Sequence, residues 1–184
     1  LFIENDKISK HKSIYGFTKY SNEKMADVYN ELYKMKITGF RFFTVFGKFG
    51  RPDMAIFNFV DSILKDKQVK LYNYGNNVRD FTYVGDLVKM IKLIVESNIY
   101  KRYEHEVYNL GSSNPYKVSK LIEILGEISN KKIKIKKIPS QLGDVKKTGA
   151  SIKKFNKVYG KIKMTNLNEA LKRYFLWHKE FYKW

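Results

Sequence analysis

Residues 15–47 constrain the fold more than any other stretch. Met25, Val28, Tyr29, Leu32 and Met35 recur at three and four, which predicts a long amphipathic helix from 15 to about 36. "ITGFRFFTVFG" follows at once over 37–47, an apolar run that reads as a buried strand with a glycine at its exit. A helix feeding straight into a buried strand is half of a parallel-sheet unit, because parallel strands need a long crossover, usually helical. The alternation continues downstream. "AIFNFVDSILKD" (55–66) predicts a helix, "VKLYNYG" a strand and turn, "RDFTYV" a short strand, and "GDLVKMIKLIVES" a helix. "EVYNLG" (106–111) is a second buried strand with a glycine exit, followed by a helix over 117–129 and a strand within 131–138. After a loop at 139–149 come a short helix near 152–158 and a last helix over 167–182, where Asn166 and Glu169 suggest a capping box. This order predicts an α/β domain with parallel strands.

Composition narrows the function classes. A chain of 184 residues with 43% apolar content fills one core of ordinary size. No stretch is long and apolar enough to cross a bilayer, and the first residues lack the basic, apolar, small-residue order of a secretory signal, so a soluble cytoplasmic protein is expected. With no cysteine, disulfides, thiolate metal sites and a cysteine nucleophile are excluded, and His11, His105 and His178 are too scattered to suggest a metal site. The net charge of +18 invites a nucleic-acid reading. Lysine, however, supplies 31 of the 36 basic residues, whereas phosphate and groove recognition leans on the arginine fork. The one dense basic run, "KKIKIKKI" (131–138), alternates like a half-buried strand with its lysines outward, so no nucleic-acid partner is expected.

"YGFTKYSNEKM" places Tyr15 four residues ahead of Lys19 at a helix start, on one face, where an ammonium can favour a phenolate. Spacing alone proves nothing, because tyrosine precedes lysine by four at Tyr20, Tyr116 and Tyr159 as well. Context separates the first pair. "YGFTKYSNEKMADVYNELY", the strand "ITGFRFFTVFG" and the loop "GRPDMAIF" together resemble the extended short-chain dehydrogenase/reductase superfamily. The series "RFFTVFG…GRPDMA…YNYG…RDFTYV…D", with "YNLGSSNP" and "QLGDVKKT" in order behind it, looks most like NAD-dependent UDP-glucuronate 4-epimerases. The resemblance covers essentially the whole chain.

What it implies is specific. The fold would be the C-terminal part of a Rossmann-like doubly wound parallel sheet plus a small substrate-binding lobe. Residues 1–50 and 80–111 would complete the sheet, and about 51–79 and 112–184 would form most of the lobe. Tyr15, as phenolate, would take the proton from the sugar C4 hydroxyl while hydride passes to bound NAD, giving a 4-keto sugar that turns over and is reduced on its other face. Lys19 would bond the nicotinamide ribose and lower the tyrosine pKa from about 10 towards neutrality. Phe42 would line the nicotinamide, and Phe43 and Thr44 would contact the sugar. A short hydroxyl at Thr44 leaves room for a sugar carboxylate. Arg51 would clamp that carboxylate or the diphosphate, Met54 and Ala55 would meet the uridine, Arg79 would grip the diphosphate, and Asp144 would bond the uridine ribose. A strand-edge pair with Asp80 is the alternative for Arg79, and an Asx-turn for Asp144. Gln141 stands where many relatives carry arginine, and Ala150 where aspartate is expected.

The superfamily's GxxGxxG turn and ribose-binding acid, which receive NAD, have no counterpart here, and only Ser9 and Ser13 precede the tyrosine. The chain therefore resembles the C-terminal 55% or so of a family member, with the NAD-binding half absent. Inactivity of these residues alone is expected, as is a partner: a second copy in a homodimer, or a separate N-terminal half. Another nucleotide-sugar epimerase, a 4,6-dehydratase or a non-catalytic UDP-sugar-binding remnant are the alternatives.

Overall fold

Helix α1 (Ile14–Tyr33) starts at Ser13, whose Oγ accepts the Gly16 N–H at 3.0 Å. It stops where Lys34 turns left-handed, a little before the periodicity ended. The computed structural model describes residues 1–6, 13–97, 99, 105–141 and 143–184; Ser9, His11 and the Leu142 of "QLGDVKKT" lie outside them.

The apolar run after α1 forms two strands, not one. β1 (Ile37–Phe42) pairs in parallel with β6 (His105–Leu110), running from Ile37 opposite His105 to Phe42 opposite Leu110. At Phe43 the chain changes partner, and β2 (Thr44–Phe46) pairs in parallel with β5 (Phe81–Tyr83). "RDFTYV" divides likewise, with β4 (Val78–Arg79) antiparallel to β7 (Tyr116–Lys117). β3 (Val69–Tyr72) pairs in parallel with β8 (Ile135–Ile138) and leads into a 3-10 turn (Asn73–Gly75). The helices are α2 (Ala55–Leu64), α3 (Val84–Ser97), α4 (Val118–Ser129), α5 (Lys153–Tyr159) and α6 (Leu167–Phe181). The α/β class with parallel pairing holds.

Two hydrophobic clusters carry it. One joins α2, β3, α4 and α6 around Val60, Val69, Leu121, Leu125, Leu171 and Tyr174. The other packs α3 and α5 onto β6 through Met90, Ile94, Tyr108, Leu110 and Phe155. The two glycine exits are close approaches: a Cβ on Gly47 would lie 2.2 Å from the Val84 side chain, and one on Gly111 2.6 Å from Ala150.

Expectations for β1, β8 and the α6 cap change. β1 is only half-buried, with Phe42 51% exposed, because among the described residues it has one neighbouring strand. The apolar stripe of α1 points outward: Met25, Val28, Tyr29, Leu32 and Met35 are all exposed. A polar stripe faces the sheet instead. Arg41 on β1 forms a two-pronged bond to Glu23, both contacts 2.7 Å, His105 Nδ1 lies 2.6 Å from Asp27, and the buried Asn30 donates to the Met35 carbonyl at 2.7 Å. At α6, the Asn166 side chain accepts the Asn168 N–H, but Glu169 bonds Arg173 at 2.7 Å, so the cap is one-sided. In β8, Ile135 is exposed beside its lysines, as suits a lysine-guarded edge. Among the described residues no helix is long and apolar enough to cross a membrane.

Candidate active site

The first turn of α1 carries Tyr15, and the helical period brings Lys19 over it, with Nζ 5.3 Å from the ring centroid. Tyr15 is 72% exposed. With Phe42, at the end of β1, both residues line a groove of about 620 Å³ between α1 and the free side of β1. The motif residues expected at the base thus share one wall.

The strand ends supply the next layer. Phe43 is half-buried in the second cluster and lies against Gly111. The Thr44 N–H donates to the Asp80 carbonyl at 3.0 Å, which fixes the turn between β1 and β2. Asp80 itself is fully buried. Its carboxylate accepts the N–H groups of Ser112, Ser113 and Ala150 at 2.8, 3.0 and 2.9 Å, and the hydroxyls of Ser112 and Thr82. The alternative pairing of Arg79 with Asp80 is therefore not made, because the Asp80 carboxylate is taken up by these donors.

Arg79 instead reaches across 65 residues to Asp144, with Nη2 to Oδ1 at 2.6 Å. The other carboxylate oxygen of Asp144 accepts from the Asn77 amide at 2.5 Å. These side-chain bonds, not an Asx-turn, hold Asp144. Backbone bonds fasten the same loop to β4, Val78 N–H to the Lys146 carbonyl at 2.9 Å and Thr148 N–H to the Val78 carbonyl at 3.0 Å. Ala55 opens α2 and lines a separate groove of about 550 Å³ with Asn58, Lys70 and Tyr72. Met54 is the N-cap of that helix and offers it no side-chain acceptor. Arg51 is not brought to these groups. Its Nε donates to Asp53 at 3.0 Å, and that bond raises the guanidinium pKa and holds the Asp53 carboxyl below the usual range; Tyr15 lies within electrostatic reach.

Sequence reasoning missed Asn77, Lys70 and Tyr72, and it met Asp80 only as a surface partner. Nothing local signals Asn77, whose partner Asp144 lies 67 residues on.

Parallel pairs with helical crossovers and a tyrosine–lysine helix against the first strand define a Rossmann-like α/β protein. The profile of the NAD dependent epimerase/dehydratase family matches residues 2–111, and the chain belongs to that family. It is 44% identical over 183 residues to the uncharacterized protein MJ1055 of Methanocaldococcus jannaschii, spanning 100% of this chain and 55% of that one. It is 41% identical over 136 residues to UDP-glucuronate 4-epimerase 4 of Arabidopsis thaliana, covering 67% of this chain and 31% of that protein. Its fold superposes with a TM-score of 0.90 on the UDP-glucuronic acid 4-epimerase of Bacillus cereus, solved with UDP-glucuronic acid and NAD. That match has 30% identity and covers 98% of this chain and 57% of the other. The chain thus spans little more than half the length of MJ1055 and of the B. cereus enzyme.

Proposed function

We propose that this chain is the catalytic-base and UDP-sugar-binding portion of a nucleotide-sugar 4-epimerase that interconverts UDP-glucuronate and UDP-galacturonate through a 4-keto sugar. The observation that carries the reading is the meeting of Arg79 and Asp144 at 2.6 Å. Motif matching assigned each separately to the nucleotide, and the fold joins them. Segments 1–50 and 80–111 would carry the base, and 51–79 and 112–184 most of the nucleotide contacts. Arg79 then receives the diphosphate, Asp144 the uridine ribose, and the groove beside Ala55 the base. Thr44 and Phe43 meet the sugar, and Arg51, on an exposed loop, exchanges Asp53 for the sugar carboxylate.

The residues present fit one end of NAD. Exposed Phe42 offers a flat apolar face, and Tyr15 and Lys19 on the same wall offer a phenol and an ammonium to ribose hydroxyls. Bound NAD supplies the acceptor and donor of hydride. Tyr15 Oη, as the phenolate, takes the C4 hydroxyl proton and returns it, with the Lys19 ammonium beside the ring. The remaining NAD contacts come from a segment equivalent to the part of the relatives that this chain does not match. The outward apolar stripe of α1 suits packing against a second copy.

Turnover of UDP-glucuronate, followed by separating UDP-galacturonate, tests the reading. The 184 residues alone should be inactive. They should gain activity when co-expressed with the unmatched part of the M. jannaschii relative, and Tyr15→Phe should lower that rate at least about a hundredfold. Turnover by the chain alone, or full activity of Tyr15→Phe, overturns it.

A further inference from the structure

Asp144 is held from two sides, and the two holds differ in kind. Arg79 is the residue read above as the diphosphate contact; its guanidinium also donates to the Val78 carbonyl at 3.0 Å. Asn77 is buried, 6% exposed, and fixed on every side. Its side-chain oxygen accepts the Asn73 amide at 2.7 Å, which leaves its NH2 to face Asp144. Its backbone carbonyl accepts the Val118 N–H at the start of α4, at 2.8 Å. Asn73 in turn sits in the left-handed turn Asn73–Gly75, with φ of 46°, so its side chain is set by that turn.

We propose that Asn77 is a positioning residue of the nucleotide subsite: its buried amide keeps the Asp144 carboxylate aimed at the ribose when Arg79 turns to the diphosphate. The inference rests on the reading above, in which Asp144 bonds the ribose. Without Asn77, Asp144 has a single strong partner, Arg79, and the diphosphate competes for that same guanidinium. A free Asp144 would then follow Arg79 or point to water. With Asn77 in place, one carboxylate oxygen remains anchored while the other exchanges its arginine for a ribose hydroxyl.

Calorimetric titration of the full chain with UDP and with 2′,3′-dideoxy-UDP separates this role from a structural one. Wild type should bind UDP more tightly than the dideoxy ligand. Asn77→Ala should weaken UDP about tenfold, the scale of one lost hydrogen bond to a charged group, and leave the dideoxy ligand within about twofold. Asn73→Ala, on a half-buried residue, should shift UDP in the same direction by less. In an Asp144→Ala background, Asn77→Ala should cost nothing further. Equal weakening of both ligands, or no weakening of either, overturns the assignment of Asn77, and the milder Asn73→Ala decides if Asn77→Ala does not fold. Wild type that fails to distinguish the two ligands sinks the ribose reading of Asp144 instead.

Discussion

Asp80 shows how a single carboxylate sets the end of the sheet. It takes five donors from three separate stretches of chain, and none of its polar capacity meets water. Removing it leaves the N–H groups of Ser113 and Ala150 without their acceptor, while the Ser112 N–H keeps Thr82 Oγ1 at 3.0 Å. Asp80→Ala should therefore lose on the order of 3–5 kcal/mol in urea unfolding, and Asp80→Asn less, since an amide keeps one accepting oxygen. A loss under about 0.5 kcal/mol for alanine would show that these bonds reform with water. The residue scale also marks how far the site was legible. Tyr15, Lys19, Arg79 and Asp144 stand in motifs whose order survives in one dimension. That Arg79 bonds Asp144 while Asp80 is buried rests on contacts between distant segments, and these are not written locally.

Helices and strands were readable because 3.6- and 2-residue periods are local, but which face of an element is covered depends on its neighbours. α1 is the clear case. Its apolar stripe is solvent-facing, and the attachment to β1 is polar, centred on Arg41, whose pKa is raised by the Glu23 bond. Glu23→Ala should strip that fork and speed amide exchange in α1 by about ten- to a hundredfold, with exchange in α4 unchanged. Breaking the exposed Glu31–Lys34 pair, 3.4 Å long, should change nothing measurable. Equal exchange in Glu23→Ala and wild type would place the attachment elsewhere.

The packing of α6 on α2 carries a second prediction. His178 is fully buried among Phe57, Tyr174, Trp177 and Tyr182, 3.9 Å from Asp61, which also pairs with Lys65. Burial lowers the imidazole pKa below 6.5, against the pull of Asp61. The unfolded ring protonates first as pH falls, so stability is full above about 6.5 and is lost below it, down to the folded pKa, with a slope of at most about 1.4 kcal/mol per pH unit. Denaturation midpoints at pH 7.5 and 5.5 should draw together in His178→Phe; an unchanged gap would assign the acid sensitivity to other groups.

Over the whole molecule, the strand order joins these scales. Sequence periodicity placed β1 in a buried sheet, yet among the described residues it pairs with β6 alone, and its other side opens on the groove lined by Tyr15, Lys19 and Phe42. No pattern within 37–42 encodes how many neighbours a strand has, which is why its burial was overread. A parallel strand bonded on one side uses alternate N–H groups and leaves those between them facing outward. Amide exchange along β1 should then alternate, every second residue exchanging at least about a hundredfold faster than its neighbours, in samples dilute enough to sediment as monomer. Co-expression with the unmatched part of the M. jannaschii relative should protect the fast set and leave the slow set as it was. Uniform protection in the dilute chain would mean that the groove side of β1 is already bonded and offers no edge for a further strand.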